Sequence, residues 1–170
     1  MSSSAINLAA DIFGGTFDPV QQGHLDLIRS AVLPDRVLVV APTTQNPWKE
    51  RAANSLELRL KMLRIALTAE NIPFDENKPQ LGRVYLAKFD YKLSVELLRH
   101  WRLNYGPDIR WLVGPGDKES STKWFNWQEE GCEVIEFSSK YPYHSTDVRS
   151  GAVSPHPAIR QFIIDNRLYC

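Results

Sequence analysis

The chain is poor in cysteine, carries no net charge and contains no long apolar run. Its two cysteines are Cys132, inside an apolar segment, and Cys170, the last residue, so neither a disulfide framework nor a zinc site is indicated. Twenty basic residues balance twenty acidic ones, which excludes the large basic surface of a nucleic-acid-binding protein. No segment approaches the ~20 apolar residues of a membrane span, and the first residues lack the pattern of a signal peptide. We therefore expect a cytoplasmic protein with no membrane and no nucleic-acid partner.

Several common motifs of nucleotide and hydrolase chemistry are also missing. The sequence has no G-x-x-x-x-G-K-[ST] and no G-x-S-x-G, which excludes a P-loop and argues against an α/β-hydrolase. A G-x-G stands at residues 114–116, but Glu119 occupies the place of the third glycine of a dinucleotide fingerprint. The four histidines, at positions 24, 100, 144 and 156, show no metal-ligand spacing. We therefore predict no metal site built from protein side chains.

Short apolar runs alternate with amphipathic segments along the chain. The periodicity predicts strands at 6–13, 37–41, 84–89, 109–113 and 132–137. It predicts helices at 23–33, after a cap at Asn54, at 94–103, around 123–130 and at the end of the chain, whereas 71–81 is irregular. This alternation indicates an α/β fold with a doubly wound, Rossmann-like parallel sheet, and the length suits one domain over residues 1–170. The loops 14–24, 42–51, 114–123 and 138–149 should then converge at the carboxyl edge of the sheet.

The most informative stretch is FGGTFDPVQQGH at residues 13–24, between an apolar run and an amphipathic segment. It predicts a strand, a glycine-rich turn and a helix. The adjacent Gly14 and Gly15 let the chain turn tightly and let a ligand approach the backbone. The helix start directs N–H groups and a positive dipole toward that ligand, and His24 in the first turn can donate to a phosphate. The simpler alternative is a surface turn with a histidine placed by chance.

A second polar stretch, HSTDVR at residues 144–149, has the composition of an anion site. Ser145 and Thr146 supply hydroxyl groups beside the N–H groups of a helix start, and Arg149 follows one turn later. Such groups together bind phosphate oxygens. The same pattern also occurs at ordinary helix caps, so this stretch alone does not decide between the two.

Taken together, the two stretches resemble the nucleotidyltransferase superfamily. Residues 14–20 with Gly23 and His24 resemble its glycine-rich turn ending in [H/T]-x-G-H, and residues 144–149 resemble its I-S-S-T-x-[IL]-R element. The end of the chain, residues 157–169, is similar to the bacterial nicotinate-mononucleotide branch, which closes in x-L-Y. The resemblance implies a nucleotidyltransferase-type Rossmann-like domain. It also implies transfer of AMP from ATP to nicotinate or nicotinamide mononucleotide, with release of pyrophosphate, in NAD biosynthesis.

The resemblance further implies roles for single residues. His24 and Arg149 would be catalytic, His24 by stabilising the α-phosphate of ATP. The implied ATP site comprises Gly14, Gly15, Thr16, Phe17, Gln21, Gly23, His24, Lys49, Gly114, Asp117, Ser145, Thr146 and Arg149. Ser94 and Trp124 would line the acceptor pocket, with Trp127 as an alternative to Trp124. The expected ligands are ATP with Mg²⁺ and a pyridine mononucleotide, and a homo-oligomer stays open.

Two positions depart from the family's pattern. Gln21 stands where the family has histidine or threonine; its amide can still donate a hydrogen bond but cannot carry a charge. Asp117 comes one residue later than the aspartate of the family's G-[AP]-D loop. These departures leave two alternatives: a different phosphate acceptor such as phosphopantetheine, and a catalytically weak nucleotide-binding relative.

Overall fold

Strands and helices alternate throughout the computed structural model, which describes residues 7–44, 54–91, 94–118, 131–141 and 144–169. The strands are β1 (Ala10–Gly15), β2 (Val37–Pro42), β3 (Phe74–Asp75), β4 (Val84–Leu86), β5 (Ile109–Val113) and β6 (Glu133–Glu136). The helices are α1 (Gln22–Ala31), α2 (Leu56–Ala69), α3 (Ser94–Tyr105), α4 (Ser145–Arg149) and α5 (Pro157–Asp165).

The six strands form one parallel sheet in the order β3-β4-β2-β1-β5-β6. From β1 the chain fills one side of the sheet with β2, β4 and β3, and then the other side with β5 and β6. Sheets of this kind bind ligands beyond the carboxyl ends of their strands, where the order reverses. The loop after β1 lies at that point. The prediction of a doubly wound α/β sheet is therefore confirmed.

Each face of the sheet carries an apolar core. On one face, α1, α2 and α5 pack against strand side chains such as Phe13, Val40 and Leu112. On the other face, α3 places Trp101 among residues that include Trp111 of β5. Strand β2 is buried along its whole length, as a parallel strand with helices on both sides requires. Across the described part of the chain, no helix combines the length and apolarity needed to span a membrane.

The predicted strands differ from the structure mainly at their ends. The first strand begins at Ala10, later than the predicted Ile6, and continues through Gly15 because both glycines pair with β2. The irregular stretch 71–81 contains β3, a strand of only two residues, which the sequence analysis missed. The helix expected around 123–130 falls outside the described residues.

Helix α2 begins with a cap that differs from the predicted one. The Ser55 Oγ accepts the N–H of Leu58 at 3.2 Å, so Ser55 is the N-cap. The prediction that Asn54 caps this helix was wrong, because the Asn54 side chain hydrogen-bonds elsewhere, to Asp18. The spacing of Leu56, Leu60, Leu63 and Leu67 predicts the apolar face of this helix. Leu60, Leu63 and Leu67 are buried, and Leu56 is partly buried against the same core.

Glu70, at the end of α2, connects three helices. Its carboxylate accepts hydrogen bonds from Arg29 Nη2 of α1 at 2.5 Å and from His156 Nε2, at the start of α5, at 2.7 Å. His156 Nδ1 accepts the N–H of Ala158 at 3.1 Å, so its ring proton lies on Nε2, toward Glu70. The bond from Arg29, followed by that from His156, lowers the pKa of Glu70 to about 2. At neutral pH the charged carboxylate therefore holds α1, α2 and α5 together.

Candidate active site

The glycine-rich stretch begins inside the sheet. Gly14 and Gly15 are the last residues of β1 and pair with Ala41 and Pro42 of β2. A Cβ atom on Gly14 would lie 2.8 Å from the ring of Trp111, closer than side chains tolerate. Glycine at position 14 is therefore required by the packing of a large indole against the strand. The predicted contacts of both glycines with ATP stay predictions.

After β1 the chain turns through a residue with a left-handed backbone. Phe17 has a φ of 52°, a conformation that costs a residue other than glycine about 1–2 kcal/mol. Packing of its buried ring offsets this cost, because the ring centroid lies 5.2 Å from that of Phe13 and 4.8 Å from that of His24. Strained residues held by their surroundings in this way cluster at functional sites.

His24 is oriented by a hydrogen bond at the start of α1. Its Nδ1 accepts the backbone N–H of Gln21, with an N–Nδ1 distance of 3.1 Å. A neutral imidazole whose Nδ1 accepts a hydrogen bond carries its own proton on Nε2. The ring therefore presents a donor on the nitrogen opposite the helix cap. This is the tautomer that a contact with a phosphate oxygen requires.

Gln21 and His24 together form a capping box at the start of α1, and the side chain of Gln21 supplies its second hydrogen bond. Gln21 is the N-cap of α1 and only 6 % exposed, and its Oε1 accepts the N–H of Gly23. The glutamine oxygen therefore occupies one of the backbone donors at the helix start that a phosphate would otherwise use. A Cβ atom on Gly23 would approach the same oxygen to 2.8 Å, which explains the glycine there. The predicted contacts of Gln21 and Gly23 with ATP are not tested by this geometry.

The second predicted anion-binding stretch forms α4 and lies directly against the glycine-rich turn. Ser145 Oγ donates to the carbonyl oxygen of Pro19 at 2.7 Å, and Arg149 Nη1 donates to the carbonyl oxygen of Asp18 at 2.8 Å. Arg149 Nη2 also donates to Thr146 Oγ1 at 3.0 Å. The fold thus joins two motifs that lie 131 residues apart in sequence.

These bonds refine the expected roles of the two hydroxyl groups. A serine hydroxyl has one proton, and that of Ser145 is already donated to Pro19. Thr146 Oγ1 accepts from Arg149, so its own proton can still be donated to a ligand. An anion at α4 would therefore find donors on Thr146 and Arg149, whereas the hydroxyl proton of Ser145 fixes α4 on the turn. The predicted contacts of all three residues with ATP stay predictions.

Asp18 is the buried centre of this arrangement and is 1 % exposed. Its Oδ1 accepts the hydroxyl of Tyr169 at 2.5 Å and Nδ2 of Asn54 at 2.9 Å, and its Oδ2 accepts the backbone N–H of Asn54 at 3.2 Å. A buried carboxylate tolerates removal from water when donors satisfy its oxygens. The last turn of the chain and the segment before α2 therefore both converge on the glycine-rich turn.

Arg59 is a residue beside the site that the sequence analysis missed. It is fully buried, and its guanidinium donates to four main-chain carbonyl oxygens at 2.6 to 2.9 Å, those of Thr16, Thr43, Thr44 and Asn54. Burial lowers the pKa of Arg59, and the nearby charge of Asp18 opposes this. The side chain joins the loops that follow β1 and β2. The sequence does indicate that Arg59 is buried, because it precedes the buried Leu63 by four residues and so lies on the apolar face of α2.

The turn after β5 brings two more predicted residues to the same edge of the sheet. Strand β5 pairs with β1, and the N–H of Asp117 donates to the carbonyl of Gly114 at 3.2 Å just beyond it. Burial raises the pKa of the half-buried Asp117, and the nearby His144 at the start of α4 opposes this rise. Asp117 therefore lies between β5 and α4, next to the predicted phosphate site.

The acceptor residues lie at or beyond the limits of the described structure. Ser94 is the first residue of α3, is half-buried and follows β4, which is two strands from β1 in the sheet. Lys49, Trp124 and Trp127 belong to the residues that the structure does not describe. Their roles in binding phosphate and the pyridine ring therefore stay predictions.

Comparison with known proteins identifies the family. The cytidylyltransferase-like family matches residues 12–151, which include both motifs. The chain belongs to this family. A Helicobacter pylori relative is 29 % identical over 150 residues, covering 76 % of this chain and 80 % of the relative. An Aquifex aeolicus relative is 30 % identical over 120 residues, covering 69 % of this chain and 67 % of the relative. Both are named as probable nicotinate-nucleotide adenylyltransferases.

The fold of the family extends over almost the whole chain. A Vibrio parahaemolyticus protein described as a nicotinate-nucleotide adenylyltransferase superposes with a TM-score of 0.69 and covers 94 % of both chains, at 20 % sequence identity. This similarity shows the fold, and the family match together with the Helicobacter relative confirms the predicted resemblance to the nucleotidyltransferase superfamily. The C-terminal helix α5 and Tyr169 lie outside the residues that the family match covers.

Proposed function

We propose that this chain is a nicotinate-nucleotide adenylyltransferase, which transfers AMP from ATP to nicotinate mononucleotide and releases pyrophosphate. The observation that carries this proposal is the hydrogen bond from Arg149 to the carbonyl of Asp18, because it brings the two predicted phosphate-binding motifs together. Their position beyond the carboxyl end of β1 suits a nucleotide. The names of the Helicobacter and Aquifex relatives agree with the predicted activity.

The reaction needs positioning and charge stabilisation instead of a protein nucleophile. A 5′-phosphate oxygen of the acceptor attacks the α-phosphorus of ATP in line, the bond from that phosphorus to the bridging oxygen breaks, and pyrophosphate leaves. The Nε2–H of His24 would donate to an α-phosphate oxygen as its negative charge grows, while Arg149 and Thr146 would hold the β- and γ-phosphates. Because hydrogen bonds orient His24 and Arg149 in advance, little reorganisation is needed during transfer.

Mg²⁺ is proposed to enter as a complex with ATP. Among the described residues, no group of three or more His, Cys, Asp and Glu side chains is placed to hold a metal ion. Mg²⁺ in nucleotide sites is bound largely by phosphate oxygens and water, with one or two carboxylates, so the triphosphate can supply most of its ligands. Bound there, the ion would neutralise charge on the phosphates.

A second candidate function, nucleotide binding with little turnover, is favoured by the geometry of Gln21. The glutamine caps α1 with its oxygen, so the position lacks the imidazole that many relatives of this superfamily place there. The ordered His24 favours the enzyme. Both candidates bind ATP, but only the enzyme forms a dinucleotide. Incubation with Mg-ATP and a panel of acceptors, including nicotinate mononucleotide, nicotinamide mononucleotide and phosphopantetheine, separates them and identifies the acceptor.

The role of His24 is tested by His24→Ala. Loss of one oriented donor to a developing oxyanion typically lowers kcat by about 10²–10³-fold, and we expect a fall of this size in pyrophosphate release. The matched control is His100→Ala, which removes an exposed imidazole that stacks on Phe89, away from α1. Turnover of His24→Ala equal to that of the control would remove His24 from the mechanism.

A further inference from the structure

The last turn of the chain reaches the candidate ATP site through the hydroxyl of Tyr169. We propose that Tyr169 is a positioning residue for ATP, acting through Asp18 on Arg149. This inference rests on the proposed function, because it assigns Arg149 to the triphosphate. It adds a residue that is not part of either phosphate-binding motif and lies outside the region matched by the family.

A defined backbone carries Tyr169 to this position. Helix α5 is anchored by the fully buried Ile159, and the N–H of Leu168 returns to the carbonyl of Ile163 at 3.0 Å. Arg167 and Tyr169 have φ values of 53° and 61°, in the left-handed region, so the chain reverses after the helix. The two left-handed residues cost free energy, which the contacts of Leu168 and Tyr169 with the core offset. The tail is therefore a folded element whose end is held at one place.

The hydroxyl of Tyr169 binds the buried carboxylate of Asp18 directly. It lies 2.5 Å from Asp18 Oδ1, which also accepts a hydrogen bond from Asn54 Nδ2 at 2.9 Å. Burial, followed by the bond to Asp18, raises the pKa of Tyr169, so the phenol stays protonated and donates. Because Asp18 is buried, loss of this donor removes a hydrogen bond from its charged carboxylate, and we expect the residue to shift.

A shift of Asp18 reaches both predicted catalytic residues. The carbonyl oxygen of the same residue accepts Nη1 of Arg149 at 2.8 Å, so the guanidinium moves with the peptide of Asp18. The preceding residue is the left-handed Phe17, whose ring packs on that of His24 with centroids 4.8 Å apart. The tyrosine hydroxyl thus acts on the site through a single residue. Since Arg149 would hold the triphosphate throughout the reaction, its misplacement is expected to weaken ATP binding more than it slows the chemical step.

The test is Tyr169→Phe, which removes the hydroxyl and keeps the ring. Calorimetry with Mg-ATP in the absence of acceptor should show a Kd about 5–20-fold higher than that of the wild type. The KM of the acceptor should be unchanged and kcat should fall by less than about 3-fold, a split that a general loss of stability does not produce. The matched control is Tyr105→Phe, a half-buried tyrosine that packs on Trp101 in the other core. An unchanged ATP Kd in Tyr169→Phe, even with a lower Tm, would overturn the proposal.

A double-mutant cycle tests whether the effect passes through Arg149. If it does, Tyr169→Phe should change the ATP Kd by less than about 2-fold in an Arg149→Ala background, whereas additive effects would contradict the route. If Tyr169→Phe unfolds at the assay temperature, Asn54→Ala removes a second side-chain donor to the same oxygen and should raise the ATP Kd in the same way. The Kd measurements need ATP binding and no dinucleotide, so they can succeed when the proposed acceptor is wrong, whereas the kcat and KM measurements need the correct acceptor.

Discussion

At the scale of single residues, hydrogen bonds within the site determine which atoms can still contact a nucleotide. His24 accepts through Nδ1 and therefore donates through Nε2. Ser145 donates its only hydroxyl proton to the carbonyl oxygen of Pro19. Thr146 accepts a hydrogen bond from Arg149, so its hydroxyl can still donate to a nucleotide. Gln21 uses its oxygen to cap α1. The residue types in the sequence indicate which residues belong to the site. The hydrogen bonds in the structure indicate which atom of each residue can donate to a ligand.

Gln21→Ala tests whether the glutamine does more than cap a helix. Loss of an N-cap costs about 0.5–2 kcal/mol, so the free energy of unfolding should fall by that amount. Turnover should also fall, because the backbone at Gln21 that orients His24 becomes less ordered. Ser55→Ala removes the cap of α2 and is the control, with a similar loss of stability and normal turnover. Equal turnover in both variants would restrict Gln21 to capping.

Arg59→Met tests the connection between β1 and β2. The substitution leaves four main-chain carbonyl oxygens without their charged donor, so we expect a loss of about 3 kcal/mol or more in the free energy of unfolding. Arg64→Met, in the same helix but partly exposed, should cost less than about 1 kcal/mol. Urea denaturation monitored by circular dichroism compares the two. A loss in Arg59→Met no larger than in Arg64→Met would contradict this role.

At the scale of elements, the helix that carries His24 is held by its neighbours as well as by its cap. Arg29 near the end of α1 and His156 at the start of α5 both bind Glu70 of α2. The same α5 leads to Tyr169, which binds Asp18 beside the glycine-rich turn. Helices α1 and α5 are therefore fixed to each other at one end and to the turn at the other.

Glu70→Gln tests this connection through pH. The pKa of Glu70 is lowered to about 2, so its stabilisation is complete above the unfolded-state value of 4.5 and is lost as pH falls through about 2. At pH 7 the variant should be less stable than the wild type by on the order of 2 kcal/mol, discounted because Arg29 is half-exposed. The difference in the free energy of unfolding between the variant and the wild type should be smaller at pH 3 than at pH 7. Glu57→Gln, whose side chain is 62 % exposed, is the control; a difference independent of pH would contradict the role of the charge.

At the scale of the whole molecule, much of the fold follows from periodicity. The continuous apolar run at 37–41 predicts a buried strand, and the structure has β2 there. The helical spacing of Leu60, Leu63 and Leu67 predicts a buried helix face, and all three side chains are buried on α2. Strand β3 was missed because two residues are too few to establish a period. Asn54 was misassigned because Asn and Ser are both good caps, and only the buried Asp18 decides which of them is free to cap.

Site residues that belong to a continuous motif can be predicted from the sequence. Site residues whose role depends on contacts between distant segments cannot. The motifs around Gly14 and Thr146 predict the family from sequence alone, and the family match confirms this prediction. Arg59 carries no local motif, because its partners are main-chain carbonyls brought near by the fold. Tyr169 belongs to the x-L-Y ending, but that ending does not indicate that its hydroxyl binds Asp18. Contacts of this kind depend on three-dimensional proximity, which a sequence pattern does not encode.

The proposed function requires that the site formed by the glycine-rich turn and α4 transfers AMP to a pyridine mononucleotide. The most direct measurement supplies ATP labelled at the α-phosphorus, Mg²⁺ and nicotinate mononucleotide to the intact protein, and follows the label. We expect the label to enter a dinucleotide, unlabelled pyrophosphate to form in equal amount, and His24→Ala to suppress both. Binding of ATP without any labelled dinucleotide would contradict the proposed transfer of AMP.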